Sequence, residues 1–207
     1  GCVSVSGGRR RCGWGGGGGL GGGRRGRVVI PMGCGSLLTK VGKEFGEVIK
    51  LGVVAESSYK VFGAQATGCS PIATAYENGW DTVKPVKPTG IAKSLAIGNP
   101  ADGPYALDTV RRTGGSMGHV GDAEIVAGIR LLAETEGLFA ETAGGVTVAT
   151  LRQLLTAGGT DPEAERVLRN TGRGRKHRPR VAGGAGPPAT DAAAARRLQR
   201  TGVARPP

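Results

Sequence analysis

The stretch "VVIPMGCGSLLTKV", residues 28–41, contains the three parts of a phosphate-binding turn in chain order. A short apolar run typical of a buried strand comes first, four small residues at 33–36 follow, and apolar residues at helical spacing begin at Leu37. Glycines let backbone N–H groups approach an anion, and a helix N-terminus adds free N–H groups and the positive end of its dipole. The residues alone leave two interpretations open, a phosphate-binding loop and a simple tight turn between strand and helix.

A longer glycine-rich stretch, "GWGGGGGLGGG" at residues 13–23, lacks this context because no strand pattern precedes it and no helix pattern follows it. Glycine at this density loses too much backbone entropy on folding to become ordered without a partner. Residues 1–26 are therefore predicted to be a disordered Gly/Arg-rich segment. Residues 172–207, rich in Arg, Gly, Ala and Pro, are predicted to be a disordered basic tail.

The net charge of +12 on 207 residues is confined to these two flanks. Residues 1–27 carry 6 Arg and no acid, and residues 166–207 carry 11 Lys+Arg and one acid. Residues 28–165 carry 11 Lys+Arg against 15 Asp+Glu. Arg-Gly stretches such as "RNTGRGRKHRPR" could bind nucleic-acid phosphates without specificity. The acidic centre and the near absence of aromatic residues in the flanks argue against a dedicated nucleic-acid-binding protein.

Cysteine spacing and hydropathy bear on whether the protein binds metal, forms disulfides or crosses a membrane. The 4 cysteines show no C-x-x-C spacing, and the 2 histidines complete no zinc pattern, so we expect free thiols in a reducing cytoplasm and no metal site. No apolar run approaches the roughly 20 residues that span a bilayer, and no apolar segment follows the N-terminal charges. The sequence therefore predicts no membrane span and no signal peptide.

Strand and helix patterns alternate through the centre of the chain. The strand patterns lie at residues 28–31, 60–63, 116–120, 138–140 and 167–170, and the helix patterns at residues 36–51, 71–76, 104–112, 122–135 and 143–157. This order predicts an α/β fold, an open, mostly parallel twisted sheet with flanking helices. Ser70 and Thr142 are predicted N-caps, Asp122 and Glu124 are predicted to cap a helix, and His119 is predicted to lie in a loop.

The quoted stretch resembles the loop that holds the cofactor phosphate in fold-type II pyridoxal-phosphate enzymes. In that group a strand ending in proline is followed by four small residues and then leucine. The matching positions here are Gly33, Cys34, Gly35, Ser36 and Leu37. The resemblance implies that these five residues bind the phosphate of pyridoxal 5'-phosphate, with Cys34 and Ser36 at positions that are glycine in some members.

Three longer stretches carry a more specific resemblance than the short loop does. "VFGAQATGCSPIATAYENG" (61–79), "PTGIAKSLAIGNPADGPYALDTVRRTGG" (88–115) and "EIVAGIRLLAETEGLFAETAGGVTVATLRQLL" (124–155) resemble the threonine synthases. The resemblance covers residues 27–171 and implies the C-terminal part of a catalytic domain, partially tryptophan-synthase-β-like. It implies conversion of O-phospho-L-homoserine and water to L-threonine and phosphate, in a cytoplasmic enzyme that could be a homodimer at full length. Threonine dehydratase and cysteine synthase-like enzymes share the loop and stay open as alternatives.

Two further site features follow from the resemblance. In "VLRNTGRGRK" (167–176), Thr171 falls on the position whose hydroxyl faces the cofactor's pyridine nitrogen, although Arg175 stands where an apolar residue is usual. A hydroxyl at this position fits a nitrogen that is not strongly protonated. Without the resemblance, Thr171 could equally be a turn residue at the edge of the predicted disordered tail. "ETAG" at residues 141–144 resembles the active-site wall of the family. Gln65 falls in a segment that resembles a loop after a strand in the family, and we expect that loop to have a structural role.

The Schiff-base lysine of the family lies upstream of the phosphate loop, in a Ser-x-Lys-Asp-like motif. No residue before Arg27 matches that motif, and the segment that contains Lys93 does not supply this lysine in the family. We therefore predict no catalytic residue in this chain. Because Gly, Arg, Ala and Pro are typical of frame-shifted translation of GC-rich genes, we hypothesise an incomplete or frame-shifted gene copy that is inactive alone.

Overall fold

Strands and helices alternate along the chain in the computed structural model, which describes residues 2–4, 26–53, 58–160, 166–172 and 174. The strands are β1 (Cys2–Ser4), β2 (Arg27–Pro31), β3 (Lys60–Ala66), β4 (Met117–Val120) and β5 (Val167–Arg169). The helices are α1 (Ser36–Lys50), α2 (Pro71–Glu77), α3 (Gly103–Arg112), α4 (Asp122–Glu136) and α5 (Thr142–Thr156), with a single 3-10 turn at Lys93–Leu95. In the described part of the chain, no helix is long and apolar enough to cross a membrane.

The five strands form one sheet in the order β1-β5-β2-β3-β4. β2 runs parallel to both β3 and β5, and β3 runs parallel to β4, whereas β1 pairs antiparallel with β5. Val28 is aligned with Val61 on one side and with Val167 on the other, which fixes the register of the three central strands. The predicted α/β fold with a mostly parallel sheet and flanking helices is confirmed.

The two predicted flanks lie almost entirely outside the described residues. Within residues 1–26, the structure describes Gly26 and the short strand β1, which the prediction of disorder did not anticipate. Beyond Thr171 it describes only Gly172 and Gly174. The predictions of disorder, of a basic tail and of a frame-shifted origin therefore stay predictions.

Side chains that alternate along the strands divide the core into two layers. Val29 and Phe62 point to a cluster with α4 and α5, which includes Ile125, Ile129, Val146 and Leu154. Val28, Ile30 and Val61 point to the opposite cluster with α1, α2 and α3, which includes Leu38, Ile72, Leu107 and Val110. Because parallel strands buried on both faces need apolar residues in succession, the continuous run at residues 28–30 follows from this arrangement.

The strand predicted at residues 138–140 is wrong. Only five residues separate α4 from α5, two helices that pack against each other, so this connection does not reach the sheet. It pairs instead with the chain after β5. Gly174 donates its N–H to the Phe139 carbonyl at 2.8 Å, and Glu141 donates its N–H to the Gly172 carbonyl at 3.1 Å.

The predicted N-cap position of Ser70, with Pro71 as the first helical residue, is confirmed, whereas the predicted N-cap at Thr142 is wrong. The Ser70 side chain makes no capping hydrogen bond to α2, and its hydroxyl lies 3.3 Å from that of Thr74 instead. At α5 the N-cap position belongs to Glu141, and Thr142 is the first helical residue. The Thr142 hydroxyl is buried and has no hydrogen-bond partner among the described residues. Both hydroxyl side chains are buried, and neither makes a capping hydrogen bond.

His119 lies in β4, which confirms the strand predicted at residues 116–120; the separate prediction that His119 lies in a loop is wrong. Its Nδ1 lies 3.0 Å from the Thr67 hydroxyl and its Nε2 lies 3.2 Å from the Glu77 carboxylate. The predicted capping role of Glu124 is confirmed, because its carboxylate accepts the N–H of Gly121 at 2.7 Å. Asp122 accepts the N–H of Ile91 at 3.2 Å and so ties α4 to a distant loop.

Candidate functional site

A cavity of about 320 Å³ lies where the central parallel strands β2 and β5 end. In open parallel sheets ligands bind at the carboxyl ends of the strands, and the volume is within the roughly 300–1,000 Å³ range of small-molecule sites. Its lining is Pro31, Gly33, Cys34, Gly35, Ser36, Leu37, Ser94, Leu95, Ile97, Glu141, Ala143 and Thr171. The structure thus brings together all six residues that the sequence assigns to the cofactor.

The loop between β2 and α1 has a shape that requires glycine at one position. Gly35 has φ of +96°, in the left-handed region, and it is the N-cap residue of α1. A Cβ atom placed on Gly35 would lie 2.9 Å from the carbonyl oxygen of Asp102. The Asp102 N–H also donates to the Cys34 carbonyl at 3.1 Å, so the loop is held against the start of α3. Only glycine combines this backbone conformation with this close approach.

The donors of this loop suit an anion. Among the described residues, the backbone N–H groups of residues 33–38 have no hydrogen-bond acceptor, and the first bond of α1 is Thr39 N–H to the Gly35 carbonyl at 3.1 Å. The Cys34 thiol and the Ser36 hydroxyl lie 2.7 Å apart at the same turn. Converging N–H groups at a helix N-terminus form a phosphate-binding site, so these residues fit a phosphorylated cofactor.

Gln65 connects the start of the loop to α2 through side-chain hydrogen bonds. It lies in β3, not in a loop as predicted, and its side chain is fully buried. Its Oε1 accepts the N–H groups of Ile72 and Ala73 at 3.0 and 2.9 Å, and its Nε2 donates to the Met32 carbonyl at 3.4 Å. One side chain therefore caps α2 and contacts the residue that opens the loop. A polar residue inside the apolar strand pattern "VFGAQA" is the signal that could have found it.

Thr171 and Glu141 also line the cavity. The Thr171 hydroxyl donates to Oε1 of Glu141 at 2.7 Å. The Glu141 backbone N–H donates to the Gly172 carbonyl at 3.1 Å. A Cβ atom on Gly172 would lie 2.7 Å from the Glu141 carboxyl group, so this pair packs without room for a larger residue. The sequence resemblance places Glu141 in this wall, but its hydrogen bond to Thr171 was not predicted.

The lysines do not take part in this cavity. Among the described residues, no lysine lines it, and Lys40 and Lys93 have exposed side chains on α1 and on the 3-10 turn. Lys93 is followed directly by Ser94 and Leu95, which do line the cavity, but its own side chain does not. The loop therefore offers hydrogen-bond donors to a phosphate, and among the described residues no lysine amine lines the cavity.

A family model described as pyridoxal-phosphate dependent enzyme matches residues 19–172, well over half of the chain. The chain belongs to this family, and its cofactor is pyridoxal 5'-phosphate. The matched region is close to the predicted domain at residues 27–171, although it begins inside the N-terminal flank.

The curated relatives narrow the similarity within the family. The chain is 37% identical over 151 residues to a threonine synthase of Methanocaldococcus jannaschii, a match that covers 72% of this chain and 37% of the relative. It is 37% identical over 133 residues to a threonine synthase of Methanosarcina acetivorans, covering 64% of this chain and 33% of the relative. The chain thus spans about a third of the length of these relatives.

Solved structures share the fold. The threonine deaminase isoform 2 of Solanum lycopersicum superposes with a TM-score of 0.61 at 18% identity, over 79% of this chain and 45% of the other. The threonine synthase of Escherichia coli superposes with a TM-score of 0.57 at 18% identity, over 86% of this chain and 44% of the other. These similarities support the assignment to the fold-type II class that the sequence predicted.

Proposed function

We propose that this chain forms the cofactor-anchoring part of a threonine synthase-like lyase, which converts O-phospho-L-homoserine and water to L-threonine and phosphate. The observation that carries the proposal is the position of the loop and Thr171 on one cavity, although they are separated by most of the sequence. The identity to named threonine synthases supports the choice of reaction within the family.

Each wall of the cavity has a separate task in this proposal. The N–H groups of residues 33–38 bind the cofactor phosphate, and the tight turn at Gly35 keeps them converging. Thr171 would face the pyridine nitrogen with its hydroxyl, and its hydrogen bond to Glu141 would orient that hydroxyl; the presence of both residues in the cavity lining supports this role. When bound, the cofactor supplies an electron sink for the loss of the substrate's phosphate.

Covalent attachment and proton transfer are assigned to a lysine outside residues 27–171. The lysines described in this range leave the cavity without an amine, and the chemistry of the family requires one. We therefore expect this chain alone to bind the cofactor without turnover.

Binding of the phosphate is tested by titrating the purified chain with pyridoxal phosphate and with pyridoxal in a calorimeter. We expect saturable binding of the phosphate ester and at least about tenfold weaker binding of pyridoxal, because a charged group bound by several N–H donors contributes more than 1.4 kcal/mol. Equal affinity for the two probes would contradict the assignment of the loop.

Two glycine variants distinguish the effect of the loop on cofactor affinity from the effect of backbone strain in general. Gly35→Ala and Gly79→Ala both place a side chain at positive φ, +96° and +67°, but a Cβ on Gly79 meets nothing within 4 Å and lies away from the cavity. Gly35→Ala should weaken pyridoxal phosphate about tenfold or more while Gly79→Ala keeps the affinity of the unchanged chain. Equal loss in both variants would show that strain, and not the loop, controls binding.

The reaction is tested in a chimera in which residues 27–171 replace the matching part of the Methanocaldococcus jannaschii relative. A threonine synthase-like site should release phosphate from O-phospho-L-homoserine. The second candidate, a threonine dehydratase-like site, is favoured by the structural similarity to a threonine deaminase. It would instead release ammonia from threonine, so a folded, cofactor-loaded chimera with that activity alone would refute the synthase proposal.

A further inference from the structure

Three side chains outside the cofactor cavity, those of Thr67, His119 and Glu77, are joined by two hydrogen bonds. The Nδ1 atom of His119 lies 3.0 Å from the Thr67 hydroxyl, and its Nε2 atom lies 3.2 Å from the Glu77 carboxylate. None of these three described residues lines the cofactor cavity. The side chain of His119 is 28% exposed and that of Glu77 is 46% exposed, so a small molecule in solution can reach the cluster.

The sheet and one helix bring the three residues to one place. His119 of β4 is aligned with Gln65 of β3, and the Thr67 N–H donates to the Val120 carbonyl at 2.9 Å directly after β3 ends. Because side chains alternate along a strand, Thr67 lies on the same face as Gln65 and His119. Gln65 accepts N–H groups at the start of α2 on this face, and Glu77 is the last residue of that helix.

The two partners of His119 determine where the protons lie. An ionised carboxylate can only accept, so the Nε2–H group donates to Glu77. A neutral imidazole has one N–H, so Nδ1 is then an acceptor and the Thr67 hydroxyl donates to it. A hydroxyl that donates to an imidazole, whose other nitrogen is bound to a carboxylate, is the arrangement that activates a nucleophile on several unrelated folds.

We propose that Thr67 is a nucleophile for acyl transfer from small carboxylic esters or thioesters, with His119 as its base. In this step Oγ of Thr67 bonds to the carbonyl carbon, and the hydroxyl proton passes to Nδ1 of His119. The bond from that carbon to the leaving oxygen or sulfur then breaks, and the leaving group takes the proton from His119. The products are O-acylated Thr67 and a free alcohol or thiol. Glu77 stabilises the positive charge that His119 carries between the two proton transfers.

The turn after Thr67 supplies a donor for the oxygen that becomes negative. Among the described residues, the N–H of Gly68, the residue that follows the nucleophile, has no hydrogen-bond acceptor. The Gly68 carbonyl accepts the N–H and the hydroxyl of Thr89 at 2.8 and 3.1 Å, which holds the turn in place. A Cβ on Gly68 would lie 2.7 Å from the Thr89 carbonyl oxygen, so the close approach requires glycine. A fixed N–H beside the nucleophile stabilises a tetrahedral oxyanion.

The test incubates the purified full chain with p-nitrophenyl acetate at neutral pH and follows acetylation of each peptide by mass spectrometry. Thr135 is the internal control, because it is an exposed threonine on α4 whose hydroxyl donates to the Leu131 carbonyl and not to an imidazole. We expect Thr67 to be acetylated at least about tenfold faster than Thr135, since a positioned general base typically contributes about 10²–10⁴-fold. Equal rates, or an acetyl group on His119 with none on Thr67, would overturn the proposal.

Variants identify the groups that activate Thr67. His119→Gln removes the base but keeps a polar side chain, and it should lower the rate of Thr67 acetylation at least about tenfold. Glu77→Gln should also lower that rate, whereas Glu134→Gln, which changes an exposed carboxylate on α4, should leave it unchanged. Circular dichroism verifies that each variant folds. Unchanged acetylation of Thr67 in folded His119→Gln would overturn the role of His119, and equal rates in the two glutamate variants would overturn that of Glu77.

Discussion

Replacing Gln65 by leucine should destabilise the chain because it removes the acceptor for two helix N–H groups. Leucine has a similar size, so the change leaves little cavity, but the N–H groups of Ile72 and Ala73 lose their partner in a fully buried place. An unsatisfied buried donor costs about 1–3 kcal/mol. For two donors at one helix end that share the acceptor, we expect a loss of about 2–4 kcal/mol in the free energy of unfolding.

The matched control is Ser70→Ala, since Ser70 is the residue in the N-cap position that makes no capping bond. Its hydroxyl has a weak contact with Thr74 at 3.3 Å, so the expected loss is about 0.5 kcal/mol or less. Both variants are compared with the unchanged chain by urea unfolding followed by circular dichroism. A loss on Ser70→Ala that equals or exceeds that on Gln65→Leu would refute the assignment of the cap to Gln65.

Three further outcomes follow from packing and burial. Burial raises the pKa of the Cys69 thiol, and a backbone hydrogen bond from Ile97 lowers it by a smaller amount. Because the thiolate is the reactive form, Cys69 should be alkylated more slowly at neutral pH than half-buried Cys34. Mass spectrometry of the alkylated peptides checks this, and equal rates would contradict it. Pyridoxal phosphate should protect Cys34 and leave the Cys69 rate unchanged. Gly128→Ala should lower the free energy of unfolding by about 1–3 kcal/mol, because the new Cβ would lie 2.6 Å from the Gly145 carbonyl oxygen between α4 and α5. The control Ala127→Ser changes an exposed neighbour on α4 and should change that free energy little. Urea unfolding measures both variants.

The parts of the fold that the sequence predicted well are those determined by local patterns. Residues 28–41 contain a strand, a turn and a helix in direct succession, and the spacing of apolar residues in that stretch is enough to place all three. The cofactor loop is local in the same sense, since all its residues are neighbours in the chain. Resemblance then brought in Thr171, which the structure places on the same cavity.

The parts that were missed depend on contacts between distant residues. Ser70 is a residue type that commonly caps helices, but the N–H groups at the start of α2 donate to the side chain of Gln65 in β3 instead. The bond between Glu141 and Thr171 joins residues 30 positions apart and cannot be read from either local pattern. The strand pattern at residues 116–120 was predicted and β4 bears it out, but the separate assignment of His119 to a loop missed its pairing opposite Gln65 of β3.

The position of β5 has a consequence for synthesis of the chain on the ribosome. β5 is the last described strand in sequence, yet it lies directly beside β2, one of the first. At roughly 5–20 residues per second, synthesis from residue 31 to residue 167 takes about 7 to 27 seconds, during which that side of β2 has no β5 to pair with. An open strand edge is a template for pairing with other chains. This edge of β2 is therefore covered only at the late stage of synthesis at which Thr171, the last described residue of the cavity lining, is also made.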